Sequence, residues 1–308
     1  MPLLSVIIPC YFNEQNIPVT VKELISNEVN FPSDVAFEYI FVDDGSKDNT
    51  FQELLKVKAQ YPNKVKVIKL AGNVGSYNAV IAGMEYATGD CAVITSADLQ
   101  DPLELMVKMY AYWQQGFKLV IGSRKDRDDP LVGKVLSNLF HSIMKKVALK
   151  NIPEGGFDYV LFDKLVKEEV LRVKENNSNV MYLMVWMGFD FVHIPYHRNQ
   201  RKIGTSRWTL KKKIKLFIDS VLSFSYFPIR VISIVGLILG IAAFFYGIFV
   251  IIAKLNGGIM VEGWSALMVV VLFVSSFQMI ALGIIGEYVW RALDASRKRP
   301  LYIVETVL

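Results

Sequence analysis

Residues 1–125 alternate short apolar runs with amphipathic stretches. Leu4–Ile8, Phe37–Val42, Val65–Leu70, Cys91–Thr95 and Leu119–Gly122 have the length and apolar content of strands. Between them Ile17–Val29, Thr50–Ala59, Tyr77–Tyr86 and Pro102–Gln114 carry apolar residues at helical spacing. Strands alternating with helices of this length predict an α/β fold with a parallel, doubly wound sheet. Farther along the pattern changes. Val135, Leu139, Ile143 and Val147 recur at helical spacing beside Lys134, Lys145, Lys146 and Lys150. The segment Leu210–Phe227 repeats this, with lysines at one end and Phe217, Phe224, Tyr226 and Phe227 toward the other. Both read as amphipathic helices lying in a membrane interface, and the first reads equally well as a helix packed on the domain core.

Two later runs, Val231–Ala253 and Ser265–Gly286, contain no charged residue, and each is long enough to span a hydrocarbon core as a helix. The composition agrees: 308 residues with 53% hydrophobic and 20% charged content fill one sizeable domain and leave apolar sequence over. Lys211, Lys212, Lys213, Lys215 and Arg230 precede the first run, and Arg291, Arg297, Lys298 and Arg299 follow the second. The link between them offers only Lys254 and Glu262. The rule that cations stay inside then predicts an integral membrane protein with both termini cytoplasmic. Met1 leads straight into an apolar strand, so no cleavable signal is expected. Cys10 and Cys91 sit in apolar runs without a disulfide or metal pattern, which suits a reducing compartment. A net charge of +5 does not point to nucleic acid, although the cations of residues 198–215 suit anionic lipids or phosphates. Gly236 and Gly240 form a GxxxG pair, a helix-association pattern that allows a homo-oligomer.

In a doubly wound sheet, ligands bind beyond the carboxyl ends of the strands, where turns expose backbone N–H groups. The first such turn, Pro9-Cys10-Tyr11-Phe12-Asn13-Glu14, supplies an aromatic face, an amide and a carboxylate where a base or ribose can rest. The second, Asp43-Asp44-Gly45-Ser46, places two carboxylates beside a flexible glycine, and Ser46 or Asp48 is also suited to cap the next helix. The fourth, Ser96-Ala97-Asp98-Leu99-Gln100-Asp101-Pro102, offers two hard oxygens on Asp98 and Gln100. Magnesium or manganese takes one or two protein oxygens of this kind and completes its shell with substrate phosphates. Asp101, before Pro102, is expected to cap the following helix. Arg124, with Lys134 and Ser137 one helical turn apart, is a cation set suited to an acceptor phosphate, while Lys134 and Ser137 suit a plain surface helix face as well.

In this order the runs PCYFNE, VDDGSKD, GNVGSYNAVIAG, SADLQDP and GSR resemble glycosyltransferase family 2 with the GT-A fold. The two apolar runs and RKIGTSRW most resemble bacterial polyprenyl-phosphate glycosyltransferases, notably undecaprenyl-phosphate glucosyltransferases, and more distantly dolichyl-phosphate mannose synthases. Where those relatives read Asp-x-Asp, this chain has Ser96-Ala97-Asp98, and where they carry a lysine it has Ser76-Tyr77. The resemblance implies that Pro9, Tyr11, Glu14, Asp43 and Asp44 contact a nucleoside, with Asn73, Gly75 and Ala97 near it. It implies that Arg201 and Arg207 hold the diphosphate, and two guanidiniums flanking a flexible Gly204 suit that role physically. Asp158 in Gly155-Gly156-Phe157-Asp158 occupies the position of the family's catalytic carboxylate, opposite a metal held by Asp98 and Gln100.

These readings predict a metal-dependent inverting transferase that moves a hexose, glucose from UDP-glucose by resemblance alone, onto polyprenyl phosphate. They divide the chain into a nucleotide-sugar core (1–130), an acceptor and catalytic part (131–209), a juxtamembrane helix (210–227), a transmembrane hairpin (228–291) and a cytoplasmic tail (292–308). GDP-mannose or another UDP-sugar as donor remains open. So does a nucleotide-sensing membrane scaffold without catalysis. A processive polysaccharide synthase calls for more spans and a Gln-x-x-Arg-Trp signature, and Gln200 is wrongly spaced from Arg207-Trp208.

Overall fold

The computed structural model describes residues 1–124, 142, 144–145, 152–153, 156–173, 175, 178–199, 203, 210–256 and 263–308. They fall into two compact units, Met1–Ser223 with Pro300–Leu308, and Phe224–Arg299.

The first unit is built on one eight-stranded sheet: β1 (Leu3–Cys10), β2 (Ala36–Asp43), β3 (Val65–Leu70), β4 (Cys91–Ile94), β5 (Leu119–Arg124), β6 (Tyr159–Asp163), β7 (Phe191–Tyr196) and β8 (Val304–Val307). Their spatial order is β7-β5-β6-β4-β1-β2-β3-β8. The central strands β4, β1, β2 and β3 run parallel, β7 runs parallel to β5, and β6 and β8 are antiparallel to their neighbours. Parallel strands covered on both faces need continuous apolar runs, and β1 (LLSVIIPC) and β4 (CAVI) supply them. The expected strands β1 to β5 are all present, and the mostly parallel α/β sheet is the one their alternation with helices predicts.

The helices of this unit are α1 (Ile17–Asn27), α2 (Thr50–Gln60), α3 (Ser76–Tyr86), α4 (Glu104–Gln114), α5 (Lys164–Val173), α6 (Val180–Trp186) and α7 (Leu210–Phe224). Helix α3 lies so close to the sheet that a Cβ on Gly83 would stand 2.4 Å from Ile7 Cγ2, so only glycine fits without displacement. One polar cluster ties three strands together around the buried Glu38, which accepts from Ser5 Oγ (2.5 Å), Lys66 Nζ (2.7 Å) and Thr88 N (2.6 Å). Burial works to raise its pKa, but these bonds prevail and hold Glu38 below its usual range. The expected interfacial helix of 130–150 lies largely outside the described residues. The one expected over Leu210–Phe227 ends at Phe224, and Ile214 and Ile218 are exposed on it.

The second unit holds α8 (Phe227–Leu255) and α9 (Trp264–Arg297), both long and apolar enough to cross a membrane. They meet where Gly236 leaves room for Phe277, whose ring would be 3.9 Å from a Cβ there, and Tyr288 OH of α9 donates at 3.1 Å to Ser225 O, just ahead of α8. Glu287 pairs with Arg291 Nε at 3.2 Å.

Candidate active site

The loops after β1 and β2 are laced together by side-chain to backbone bonds. Phe12 N donates to Ser46 Oγ (3.1 Å), Asn13 N to Thr50 Oγ1 (2.7 Å) and Asn49 N to Glu14 Oε2 (2.9 Å). Asn13 Oδ1 also accepts from Tyr11 N at 2.7 Å, and Tyr11 and Phe12 meet edge to face at 4.7 Å. Pro9 and Tyr11 thus lie at the same carboxyl end of the central strands as Asp43. Neither expected residue takes the cap position of α2, which is Asn49; Asp48 still accepts from Thr50 N (3.2 Å), whereas Ser46 turns toward Phe12.

The two adjacent aspartates differ in role. Asp44 is a clamp on the loop after β3: it accepts from Asn73 Nδ2 (2.9 Å), Val74 N (2.7 Å) and Gly75 N (3.1 Å). Asp43 accepts from Ser46 N at 3.1 Å through Oδ1, while its buried Oδ2 has no hydrogen-bond partner among the described residues. Burial raises the Asp43 pKa, opposed by Ser46 and by the charge of Lys69. Gly45 sits at φ +65, and a Cβ there would lie 2.6 Å from the Gly72 carbonyl carbon, so this glycine permits the β2 and β3 loops to touch. Gly75, at φ +90, opens α3.

Beyond β4, Asp98 Oδ1 accepts from Gln100 N at 3.2 Å, with Leu99 between them in the left-handed region (φ 54). Thr20 Oγ1 fixes Ala97 O at 2.7 Å. The turn is zipped to the segment after β7, because Asn199 N donates to Gln100 O (2.8 Å) and Gln100 Nε2 to Asn199 O (3.3 Å). Asp101 does not cap a helix. It is 2% exposed, and it accepts from Tyr196 OH (2.5 Å) and Ser96 Oγ (3.1 Å), with Arg198 Nε 3.8 Å away. Leu103 takes the cap position of α4 and makes no side-chain cap bond. The expectation fails because a strand remote in sequence supplies Asp101 with a better donor than the helix N-terminus.

Arg124 and Asp158 form an ion pair, Nη2 to Oδ2. The Arg124 side chain is nearly buried and that of Asp158 about half exposed. Burial alone would lower the guanidinium pKa, but Asp158, Tyr196 and Asp101 outweigh it and raise it further. Tyr77, partly exposed, lies beside the pair, and its pKa is raised by desolvation and by the Asp158 charge. Asp101, Tyr196 and Tyr77 were not legible as site residues, since nothing in their spacing points to a cluster drawn from three strand ends. Arg201, Arg207, Lys134 and Ser137 lie outside the described residues.

The donor set suits a hard divalent cation in type, a carboxylate on Asp98 and an amide oxygen on Gln100. Among the described residues no group of three or more His, Cys, Asp or Glu side chains gathers to form a full protein cage. Two hard oxygens match an ion that draws its remaining ligands from phosphates and water.

The loops at the carboxyl ends of the strands thus gather an acidic turn and a partly buried Arg–Asp pair on one sheet. The family model for glycosyl transferase family 2 matches residues 5–173, and the chain belongs to that family. It is 35% identical over 302 residues to the uncharacterized glycosyltransferase YkcC of Bacillus subtilis, covering 98% of this chain and 93% of that protein. It is 31% identical to the prophage bactoprenol glucosyl transferase homolog of Escherichia coli, covering 99% of each. Among solved structures, the mannosyltransferase PcManGT of Pyrobaculum calidifontis, in complex with GDP-Man and Mn2+, is 21% identical with a TM-score of 0.43, covering 63% of this chain and 55% of that one.

Proposed function

We propose that this glycosyltransferase moves glucose from UDP-glucose onto polyprenyl phosphate at the cytoplasmic face of a cell membrane, with inversion at the sugar C1. The observation that carries the reading is full-length similarity to a bactoprenol glucosyl transferase homolog in a chain with two helices long and apolar enough to cross a membrane. The residues before and after the helical hairpin belong to one compact unit, Met1–Ser223 with Pro300–Leu308, which supports an arrangement with both termini on the cytoplasmic side.

In this mechanism a phosphate oxygen of the lipid attacks C1 as the C1–O bond to the nucleotide breaks, and UDP leaves with the bonding electrons. A phosphate monoester has a second pKa of about 6, so the nucleophile is already largely a dianion at neutral pH and little proton removal is needed. Asp158 therefore orients rather than deprotonates, and its pairing with Arg124 fits this role, because a carboxylate stabilised by a guanidinium is a weak base. Arg124, which carries five N–H donors, keeps capacity for the acceptor phosphate while held by Asp158. Pro9, Tyr11, Glu14 and Asp43, with the Asp44-clamped loop of Asn73 and Gly75 and with Ala97, hold the nucleoside. Asp98 and Gln100 would hold magnesium or manganese, and Arg201 and Arg207 the diphosphate. When bound, the cation neutralises charge on the departing diphosphate.

The test is to supply purified protein with polyprenyl phosphate and a panel of nucleotide sugars, and to read the anomeric configuration of the lipid product by proton NMR. A β-linked glucosyl product from UDP-glucose is expected. An α-linked product would refute the single displacement, and a product from GDP-mannose alone would replace the donor.

A further inference from the structure

The segment after the second apolar helix does not end as a tail. Following the short connection 298–303, β8 pairs antiparallel with β3, matching Ile68 to Val307 and Lys69 to Thr306. Leu308 and Val67 exchange backbone bonds of 2.9 and 3.0 Å, and Ala71 N donates to Ile303 O at 2.9 Å. Side chains reinforce the seam: Glu305 pairs with Lys69 Nζ at 2.8 Å, and Lys69 lies 5.1 Å over the Phe51 ring. Tyr302 OH donates to Glu85 on α3.

The location of these contacts gives them a use. Ala71 directly precedes the loop 72–75 that Asp44 clamps, and Glu85 lies near the far end of the helix this loop opens. The end of the connection, Tyr302 and Ile303, therefore grips the donor loop at its entrance and its helix at the exit, and β8 anchors that connection on β3. Lys69, held by Glu305, also acts on the charge of Asp43. Without β8, strand β3 would become a sheet edge with unpaired N–H and C=O groups beside the loop.

We infer that β8 is a positioning element of the donor site: the strand emerging from the membrane hairpin sets the 71–75 loop, so that the site is completed only when the chain has passed through both apolar helices and returned. Tyr302 and Glu305 are positioning residues in this scheme and need not touch the donor. The inference rests on the reading that the nucleotide is held by the loops after β1, β2 and β3.

The experiment compares the full chain in detergent with a variant ending at Tyr302 and with the double variant Tyr302→Phe, Glu305→Gln. UDP is titrated calorimetrically in magnesium, and hydrogen exchange is followed over residues 71–86. The truncated chain should bind UDP about three- to tenfold more weakly, with faster exchange at 71–75, and a peptide of residues 300–308 added in trans should restore both. The double variant should shift in the same direction, and it carries the test if the truncated chain aggregates. Unchanged UDP affinity and exchange in a folded variant would overturn the inference alone. No UDP binding by the unaltered chain would overturn the donor-loop reading and this inference with it.

Discussion

Replacing Asp44 by asparagine isolates what the second carboxylate of the β2 turn does. On the loop after β3 its oxygens take three donors, Oδ1 taking Val74 N and Oδ2 taking Asn73 Nδ2 and Gly75 N. An asparagine offers one acceptor oxygen and one NH2 group. With the oxygen in the Oδ2 position two bonds survive, and the NH2 is forced against Val74 N–H. The opposite flip loses two. The better arrangement thus forfeits one charge-assisted bond and leaves one N–H facing a donor, a cost of about 1.5–3 kcal/mol. Since about 1.4 kcal/mol is a factor of ten, the ordered loop should fall about tenfold to a hundredfold in relative population. Exchange at 73–75 should accelerate accordingly, and UDP affinity should drop by a similar factor while the sheet core keeps its protection. Equal affinity and equal exchange in Asp44→Asn would show that the loop does not depend on this clamp, and the reasoning would fail.

Gly83→Ala gains about 1 kcal/mol of helix propensity but drives a methyl to 2.4 Å from Ile7 Cγ2, an overpacking that costs about 1–3 kcal/mol; denaturant unfolding should show a net loss, and a gain would contradict the close approach of α3. Asp158→Asn should cut kcat about a hundredfold by releasing Arg124, with UDP affinity unchanged and an unshifted pH profile; a profile whose limb at low pH disappears would instead make Asp158 the base. Glu38 sits below its ordinary value of 4.5 in the folded chain, so its stabilising contribution is full above that pH and is lost as pH falls through the depressed value. The melting temperature of Glu38→Gln should therefore vary less with pH on the acid side than that of the unaltered chain, and parallel curves would refute the assignment.

The central strands and their helices were legible because each is a local pattern: β3 is expected and found at Val65–Leu70, and α2 begins at Thr50 in both. Three strands escaped, β6, β7 and β8, and their partners are remote: β7, for one, pairs with β5 some seventy residues earlier. β6 is five residues inserted antiparallel between β4 and β5, and β8 is four alternating residues lying beyond an apolar helix. Neither carries a periodicity long enough to separate it from a loop. The site follows the same division. Asp98, Gln100 and the double aspartate announce themselves at strand ends, whereas the Asp101–Tyr196 bond joins residues 95 apart and depends on β7 lying beside β5. Arg124 and Asp158 were both singled out, for different tasks, and their pairing depends on the register of β5 against β6.

The most direct test of the whole account is transfer of labelled glucose from UDP-glucose to polyprenyl phosphate, counted in the organic phase with and without magnesium or manganese. The account predicts label in the lipid only when the metal is present, abolished in Asp98→Ala. A chain that is folded and binds UDP yet labels no lipid, with any donor, would contradict it.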